Sequence, residues 1–81
     1  MQKYPIGEHG IGGRNESWYY AKYDKATGKA FWVHEWSNMS GLKVIEGEKE
    51  LPLEEAKSQS YYDEAVAVIQ ENHPEWQPLQ D

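Results

Sequence analysis

The residues that decide the fold are Trp18–Trp36, WYYAKYDKATGKAFWVHEW, which hold three of the four Trp, three of the six Tyr and the only Phe. Aromatic and β-branched residues favour strands, and runs rich in them cover Glu16–Tyr23 and Lys29–Trp36. Asp24 and Gly28 bound the five residues between these runs, and both residue types are typical of tight turns. The stretch therefore predicts an aromatic β-hairpin.

The elements after the hairpin define the fold class. Leu42–Glu46 has the composition of a third short strand, whereas the charged residues Glu48–Glu50 are expected in a loop and Leu51–Ala56 in a short helical turn. Helical periodicity begins near Ser60 and ends at Asn72, close to Pro74. Its apolar face consists of Tyr62, Ala65, Val66, Ile69 and His73. The sequence predicts an α+β fold, in which a three-stranded antiparallel sheet with a central aromatic hairpin is packed by one C-terminal helix.

Residues 1–15 lack this periodicity and contain four of the seven Gly. Gly7–Arg14, GEHGIGGR, has the glycine content of a phosphate-binding loop. However, no strand is predicted before it, and neither a Lys-Ser/Thr pair nor an apolar helix follows it, as such a loop requires. We expect residues 1–15 to form a flexible Gly-rich arm and residues 16–81 to form a single small α+β domain.

A candidate binding surface follows from the alternation of side chains along the hairpin. If the loop has five residues, one face carries Tyr19, Ala21, Tyr23, Phe31 and Val33. The other face carries Trp18, Tyr20, Lys22, Trp32, His34 and Trp36. One helix covers only one face, so we predict a binding site at Trp18, Tyr20, Trp32, His34 and Trp36. Two alternatives stay open: the arm and Trp76 cover this face, or a loop one residue shorter mixes the two sets.

The charge pattern indicates a class of partner. The net charge is −6, and the excess lies after Trp36, where three Lys face ten acidic residues. This disfavours nucleic acid, because neutralisation of phosphates by Lys and Arg dominates such binding. It suits a basic protein partner, although a charge of this size also serves solubility alone.

Other classes of site find little support in the sequence. His9, His34 and His73 lack the short spacing of metal ligands, and His34-Glu35 is not followed by the second His of a zinc-protease motif. No Ser or Thr lies in a nucleophile turn. We therefore expect no metal, no cofactor and no enzymatic activity. The chain has no Cys, no apolar signal-peptide region and no apolar run of about 18 residues, which predicts a cytoplasmic protein without a membrane partner.

A local likeness to a known family lies within the hairpin. Thr27–His34, TGKAFWVH, preceded by Trp18, resembles the first two strands of WW domains, whose second strand commonly reads Gly-Arg-x-Tyr-Tyr-x-Asn-His. The likeness covers about 17 residues. The second Trp of the family, expected about seven residues after His34, is replaced by Gly41, and the following Pro is missing. The proline-rich peptide recognition that the resemblance implies is therefore not transferred to this chain.

Together these features favour a small acidic protein-interaction module, such as an accessory, inhibitor or immunity-like factor. It would use its spare aromatic face on a protein partner or on a second copy of itself. The alternative is a carbohydrate or small-ligand platform, because Trp and Tyr rings also stack against sugars.

Overall fold

The computed structural model describes residues 2–76, which form one antiparallel sheet, a short 3-10 helix and one α-helix. The strands are β1 (Gln2–His9), β2 (Asn15–Asp24), β3 (Lys29–Ser40) and β4 (Lys43–Pro52), in that spatial order. The 3-10 helix is Leu53–Glu55 and the α-helix, α1, is Tyr62–Asn72. The predicted α+β class with a helix packed on an antiparallel sheet is confirmed, but the sheet has four strands rather than three.

The additional strand is β1, which lies within the stretch that we predicted as a flexible arm. It pairs with β2, and Tyr4 and Ile6 pack against the core. The pairing shifts register between Pro5 and Gly7. At Gly7 an added Cβ would lie 2.5 Å from the Tyr61 ring, so only glycine fits there. The bulge interrupts the two-residue period that would have marked the strand in the sequence.

The predicted hairpin is present as β2 and β3, but its turn is one residue shorter than expected. Asp24 pairs directly with Lys29, which leaves the four residues 25–28 in the loop. The Gly28 amide donates to the Asp24 carbonyl oxygen at 2.7 Å, and Gly28 has a φ of 71°. Because side chains alternate, this change turns every β3 side chain to the opposite face relative to β2.

The third predicted strand is longer than Leu42–Glu46, and the residues expected in a loop belong to it. β4 pairs with β3 from Lys43, opposite Ser40, to Pro52, opposite Phe31. Gly41, with a φ of 62°, occupies the first central position of the two-residue turn, as in a type II′ turn. The charged residues of β4 are accommodated because it is an edge strand, and among residues 2–76 no strand pairs with its outer side.

Helix α1 packs on one side of the sheet, as its predicted apolar stripe requires. Ala65 and Ile69 are fully buried and His73 is 4% exposed. The helix begins at Tyr62, two residues after Ser60, and its N-cap residue Tyr61 has a left-handed conformation without a side-chain capping hydrogen bond. The buried core joins the sheet, the 3-10 helix and α1 through Ala21, Tyr23, Ala30, Trp32, Leu53, Ala56, Ala65 and Ile69, and Trp76 packs against it.

Candidate functional site

The register divides the sheet into two faces of different character. The helix face lies under α1 and carries Tyr19, Ala21, Tyr23, Trp32, His34 and Trp36. We call the opposite side the open face. It is centred on Trp18, Tyr20, Phe31 and Val33 and is bordered by Glu8, Glu35, Glu46, Glu48 and Glu50. The 3-10 helix and α1 contribute to the core on the helix face, so the open face is the candidate site.

The five predicted site residues do not share one face. Trp18 and Tyr20 are half-buried on the open face, whereas Trp32, His34 and Trp36 lie on the helix face. The prediction of a common face is wrong because it assumed a five-residue turn. With the observed four-residue turn, Ala21 faces Trp32 and Tyr19 faces His34.

Trp32 is a core residue rather than part of an accessible surface. Its side chain is 2% exposed, and its indole Nε1 donates a hydrogen bond of 2.9 Å to the Ser60 carbonyl oxygen. This bond ties the centre of the sheet to the segment that leads into α1. A ligand cannot reach Trp32 without displacing that segment.

His34 and Trp36 belong to an aromatic cluster with Tyr19 on the helix face. The His34 ring stacks on Tyr19 with centroids 4.4 Å apart and an interplanar angle of 6°, and the Trp36 centroid lies 5.1 Å away. The Trp36 indole covers Gly47, where an added Cβ would overlap it. The buried Nε2 of His34 has no hydrogen-bond partner within residues 2–76. The cluster therefore packs rings against each other and against glycine.

We predict that His34 makes the protein less stable in mild acid. Burial, and secondarily the charge of Lys49, lower the pKa of His34 below its ordinary value of 6.5. The unfolded chain then binds this proton more readily than the folded chain. The contribution of neutral His34 to the free energy of unfolding should be fully present above about pH 6.5. It should decline as the pH falls through that value towards the lower pKa of the folded state. An imidazolium would also carry an Nε2 proton that has no acceptor.

The measurement is the urea midpoint at several values between about pH 7.5 and pH 5.5, for the wild type and for His34→Gln. His9 and His73 are common to both proteins, so the difference between the two slopes isolates His34. The wild type should lose stability more steeply on acidification than the variant. Equal slopes would show that the His34 proton is not coupled to folding.

The apolar centre of the open face is built from neighbouring strands. Trp18 and Tyr20 on β2 lie beside Val33 and Phe31 on β3. Val33 is 1% exposed, and the three aromatic rings around it are half-buried. The Lys3 ammonium lies 4.1 Å from the Tyr20 ring centroid, within the range of a cation–π interaction. The open face thus already holds one cation against an aromatic ring.

Acidic side chains surround this apolar centre. By register, the open face carries seven acidic residues against three lysines. The acidic residues are Glu8, Glu16, Asp24, Glu35, Glu46, Glu48 and Glu50, and the lysines are Lys3, Lys22 and Lys29. One row across all four strands reads Glu8, Trp18, Glu35 and Glu48. Like charges directly opposite each other are unfavourable. The Lys3 ammonium, which is bonded to Glu35 and lies near Glu48, reduces the repulsion between these two carboxylates.

Two lysines neutralise part of this charge. Lys3 donates a hydrogen bond to Glu35, and this bond is the main cause of a raised Lys3 pKa. Lys22 pairs with Glu50 at 2.7 Å. Both pairs are partly exposed, so each contributes little to stability. Their arrangement shows that the open face accommodates ammonium groups between its carboxylates and its rings.

A groove of about 450 Å³ lies beside Trp18 on the open face. Besides Trp18, the residues that line it are Glu35, Trp36 and Ser37 of β3 and Glu46, Gly47 and Glu48 of β4. An aromatic ring next to several carboxylates is a suitable environment for an organic cation, such as a lysine or arginine side chain.

The sequence contains only part of the signal for this site. The predicted site contains Trp18 and Tyr20 because of their rings. It lacks Phe31 and Val33 because a five-residue turn places them on the other face, and it lacks Glu35 because only aromatic residues and His34 were considered. Glu46 is at the end of the predicted third strand and Glu48–Glu50 are expected in a loop, so the prediction does not place these three carboxylates together. Their two-residue spacing is the available signal that they share one face of a strand.

Among residues 2–76, no group of three or more His, Asp or Glu side chains is arranged to hold a metal ion. No helix in the described part of the chain is long and apolar enough to cross a membrane. Comparison of the chain with protein-family models, with curated proteins and with solved structures gives no match.

Proposed function

We propose that this chain is a non-enzymatic, cytoplasmic interaction module whose open face binds a basic segment of a partner protein. The observation that carries the proposal is the position of the Trp18, Tyr20 and Phe31 rings, half-buried inside a border of carboxylates on the side of the sheet away from α1. Large rings supply much of the energy of protein interfaces. The surrounding acidic charge selects a partner of opposite sign and accelerates its association.

The open face offers contacts for both parts of a basic side chain. The hydrocarbon stem of a lysine or arginine packs on an aromatic ring while its charged end reaches a carboxylate. Lys3 already makes this pair of contacts within the chain, with the Tyr20 ring and with Glu35. The groove beside Trp18 presents the same combination to another molecule, with Glu35 and Glu48 next to the ring.

The test is a pull-down from native extract, followed by affinity measurements with the retained partner. We expect a partner with a basic binding segment, and we expect Trp18→Ala to weaken binding at least about tenfold, as for an interface hot spot. Glu48→Lys should weaken binding most at low salt, since screening reduces its effect at high salt.

The matched control is Glu71→Lys, which makes the same charge change at an exposed position of α1. It should bind within about twofold of the wild type at moderate salt, because added charge far from the interface is screened. If Trp18→Ala and Glu48→Lys both bind the partner as tightly as the wild type, the open face is not the binding site.

A carbohydrate or small-ligand platform is the second candidate, and the groove of about 450 Å³ beside Trp18 is the observation that favours it. Carboxylates accept hydrogen bonds from sugar hydroxyls, and an indole ring stacks on a sugar face. Titration of oligosaccharides while Trp fluorescence is recorded would distinguish this function, since only a ligand in the groove should change the Trp18 signal.

A further inference from the structure

Strand β4 forms one edge of the sheet and has a neighbour on one side only. The strand order places it beside β3, and no other described strand pairs with its outer side. An edge strand presents a row of backbone N–H and C=O groups that are free to pair with another strand. At ten residues, β4 is long enough to pair with an extended peptide along most of its length.

The turn between β3 and β4 determines which backbone groups point outwards. In a two-residue hairpin the closing pair, here Ser40 and Lys43, exchanges both hydrogen bonds, and hydrogen-bonded pairs then recur at every second position. The alternate residues direct their N–H and C=O groups away from β3. On β4 these residues are Val44, Glu46, Glu48 and Glu50.

The same alternate positions also belong to the open face. The side chains of Glu46, Glu48 and Glu50 therefore follow one another along the edge, spaced by about 7 Å. Cross-strand neighbours lie at about 4.5–5.5 Å between Cβ atoms. A strand added to this edge would place every second side chain directly beside one of these carboxylates.

We infer that β4 takes up an extended, basic segment of the partner as a fifth strand, with Lys or Arg at alternate positions beside Glu46, Glu48 and Glu50. This inference rests on the proposed function and specifies how the partner binds. The backbone hydrogen bonds would provide affinity, and the alternating charges would fix the register. The groove next to Glu46 and Glu48 would receive a cationic side chain beside Trp18.

The charges disfavour the other occupants of this edge. A second copy paired through its own β4 would bring glutamates against glutamates, which is unfavourable. The opposite edge, β1, is less suitable because Pro5 has no N–H group and the register is interrupted between Pro5 and Gly7. A basic segment on β4 would neutralise the carboxylates of Glu46, Glu48 and Glu50 and would pair with the free backbone N–H and C=O groups of the edge.

The experiment uses the full chain and a blocked heptapeptide in which Thr and Lys alternate. Glu48→Gln removes one carboxylate, whereas Glu48→Pro removes the carboxylate and an outward-pointing N–H that β3 does not use. We expect Gln to weaken peptide binding about threefold and Pro to weaken it at least tenfold. Far-UV circular dichroism and the unfolding midpoint verify that both variants are folded.

Amide hydrogen exchange gives a second measurement that does not depend on a variant. With peptide bound, the amides of Glu46, Glu48 and Glu50 should exchange at least tenfold more slowly than in the free protein. The amides of Ile45 and Lys49, which face β3, should change much less. A peptide with the same composition but with its lysines adjacent should give weaker protection.

The outcomes separate this inference from the proposed function. If Gln and Pro have equal effects and these amides are not protected, while Trp18→Ala still abolishes binding of the partner, then the open face binds without strand addition and the inference is wrong. Failure of the wild type to bind the alternating peptide also overturns it. If these amides are protected from exchange without peptide, and the protection rises with protein concentration, then a second copy of the chain occupies the edge. That result would overturn the inference that a basic partner segment binds there.

Discussion

Replacement of Trp32 by Ala should lower the free energy of unfolding by about 3–5 kcal/mol, the range seen when a large buried ring is removed. Trp32 is 2% exposed and packs with Tyr19, Leu53 and Ile69 in the buried core or against it. The substitution also removes the indole donor from the Ser60 carbonyl oxygen. A single core in a domain below about 70–80 residues rarely supplies more than 3–5 kcal/mol, and this chain is only slightly longer, so we expect the variant to be largely unfolded at 37 °C.

The measurement is urea unfolding followed by circular dichroism, with Trp18→Ala as the matched control. Trp18 lies on the neighbouring strand but is half-buried on the open face. We expect its replacement to cost about 1 kcal/mol or less, because its ring retains solvent contact. The two variants should therefore separate folding from binding: Trp32→Ala loses structure, and Trp18→Ala stays folded but loses the partner. Equal stability of the two variants would contradict the assignment of the faces.

The elements that the sequence revealed are those with strong local patterns. The hairpin was predictable because rings and β-branched residues fill both strands around one Asp and one Gly. The helix was predictable because Ala65, Ile69 and His73 follow a helical spacing up to a proline. In both cases the signal lies within a few residues along the chain, and the observed burial agrees with it.

Register was not predictable, and the candidate site depends on it. A turn of four or five residues fits the sequence Asp24–Gly28 equally well, since both end at Gly28, a residue that adopts the positive φ seen here at no steric cost. A difference of one residue in turn length decides whether Trp32 shares a face with Trp18 or with Tyr19. Long-range packing decides it, because the shorter turn brings Trp32 and Ala21 together under α1.

Long-range contacts also explain why strand β1 was not predicted and why β4 was predicted only in part. β1 contains a bulge and a proline, and its apolar residues Tyr4 and Ile6 become a pattern only when β2 and α1 lie against them. The predicted third strand stops before Glu48–Glu50 because charged residues are unfavourable inside a sheet, yet in an edge strand these side chains stay in solvent. Neither environment can be read from neighbouring residues alone.

The packing of β1 leads to the second large effect, which concerns His73. His73 is 4% exposed at the C-terminal end of α1, and its ring stacks on Tyr23 with centroids 4.0 Å apart. Its Nε2 lies 2.8 Å from the Tyr4 hydroxyl, and its Nδ1 lies 3.7 Å from a Glu75 carboxylate oxygen. Through Tyr4 and Tyr23, His73 joins β1 and β2 to the end of the helix. Tyr23 is itself buried in this contact, and burial, followed by the charge of Glu75, raises its pKa.

Replacement of His73 by Ala should lower the free energy of unfolding by about 2–4 kcal/mol, because it leaves a cavity between two tyrosines and removes a part-buried hydrogen bond. Tyr4→Phe is the matched control, since it removes the hydrogen bond and keeps the ring, and it should cost about 1 kcal/mol. In the double variant the two losses should not add, and the coupling energy should be about 0.5–3 kcal/mol.

Amide exchange locates the effect within the fold. If His73 holds the first strand against the domain, then His73→Ala should accelerate exchange in β1 more than in β3, because among the described strands β1 pairs with β2 alone, whereas β3 is paired on both sides. A uniform acceleration across the sheet would show that His73 contributes only to global stability. Preferential loss of β1 would instead explain how a glycine-rich segment without a strand pattern is recruited into the sheet: its order comes from one tyrosine that reaches a buried histidine 69 positions further along the chain.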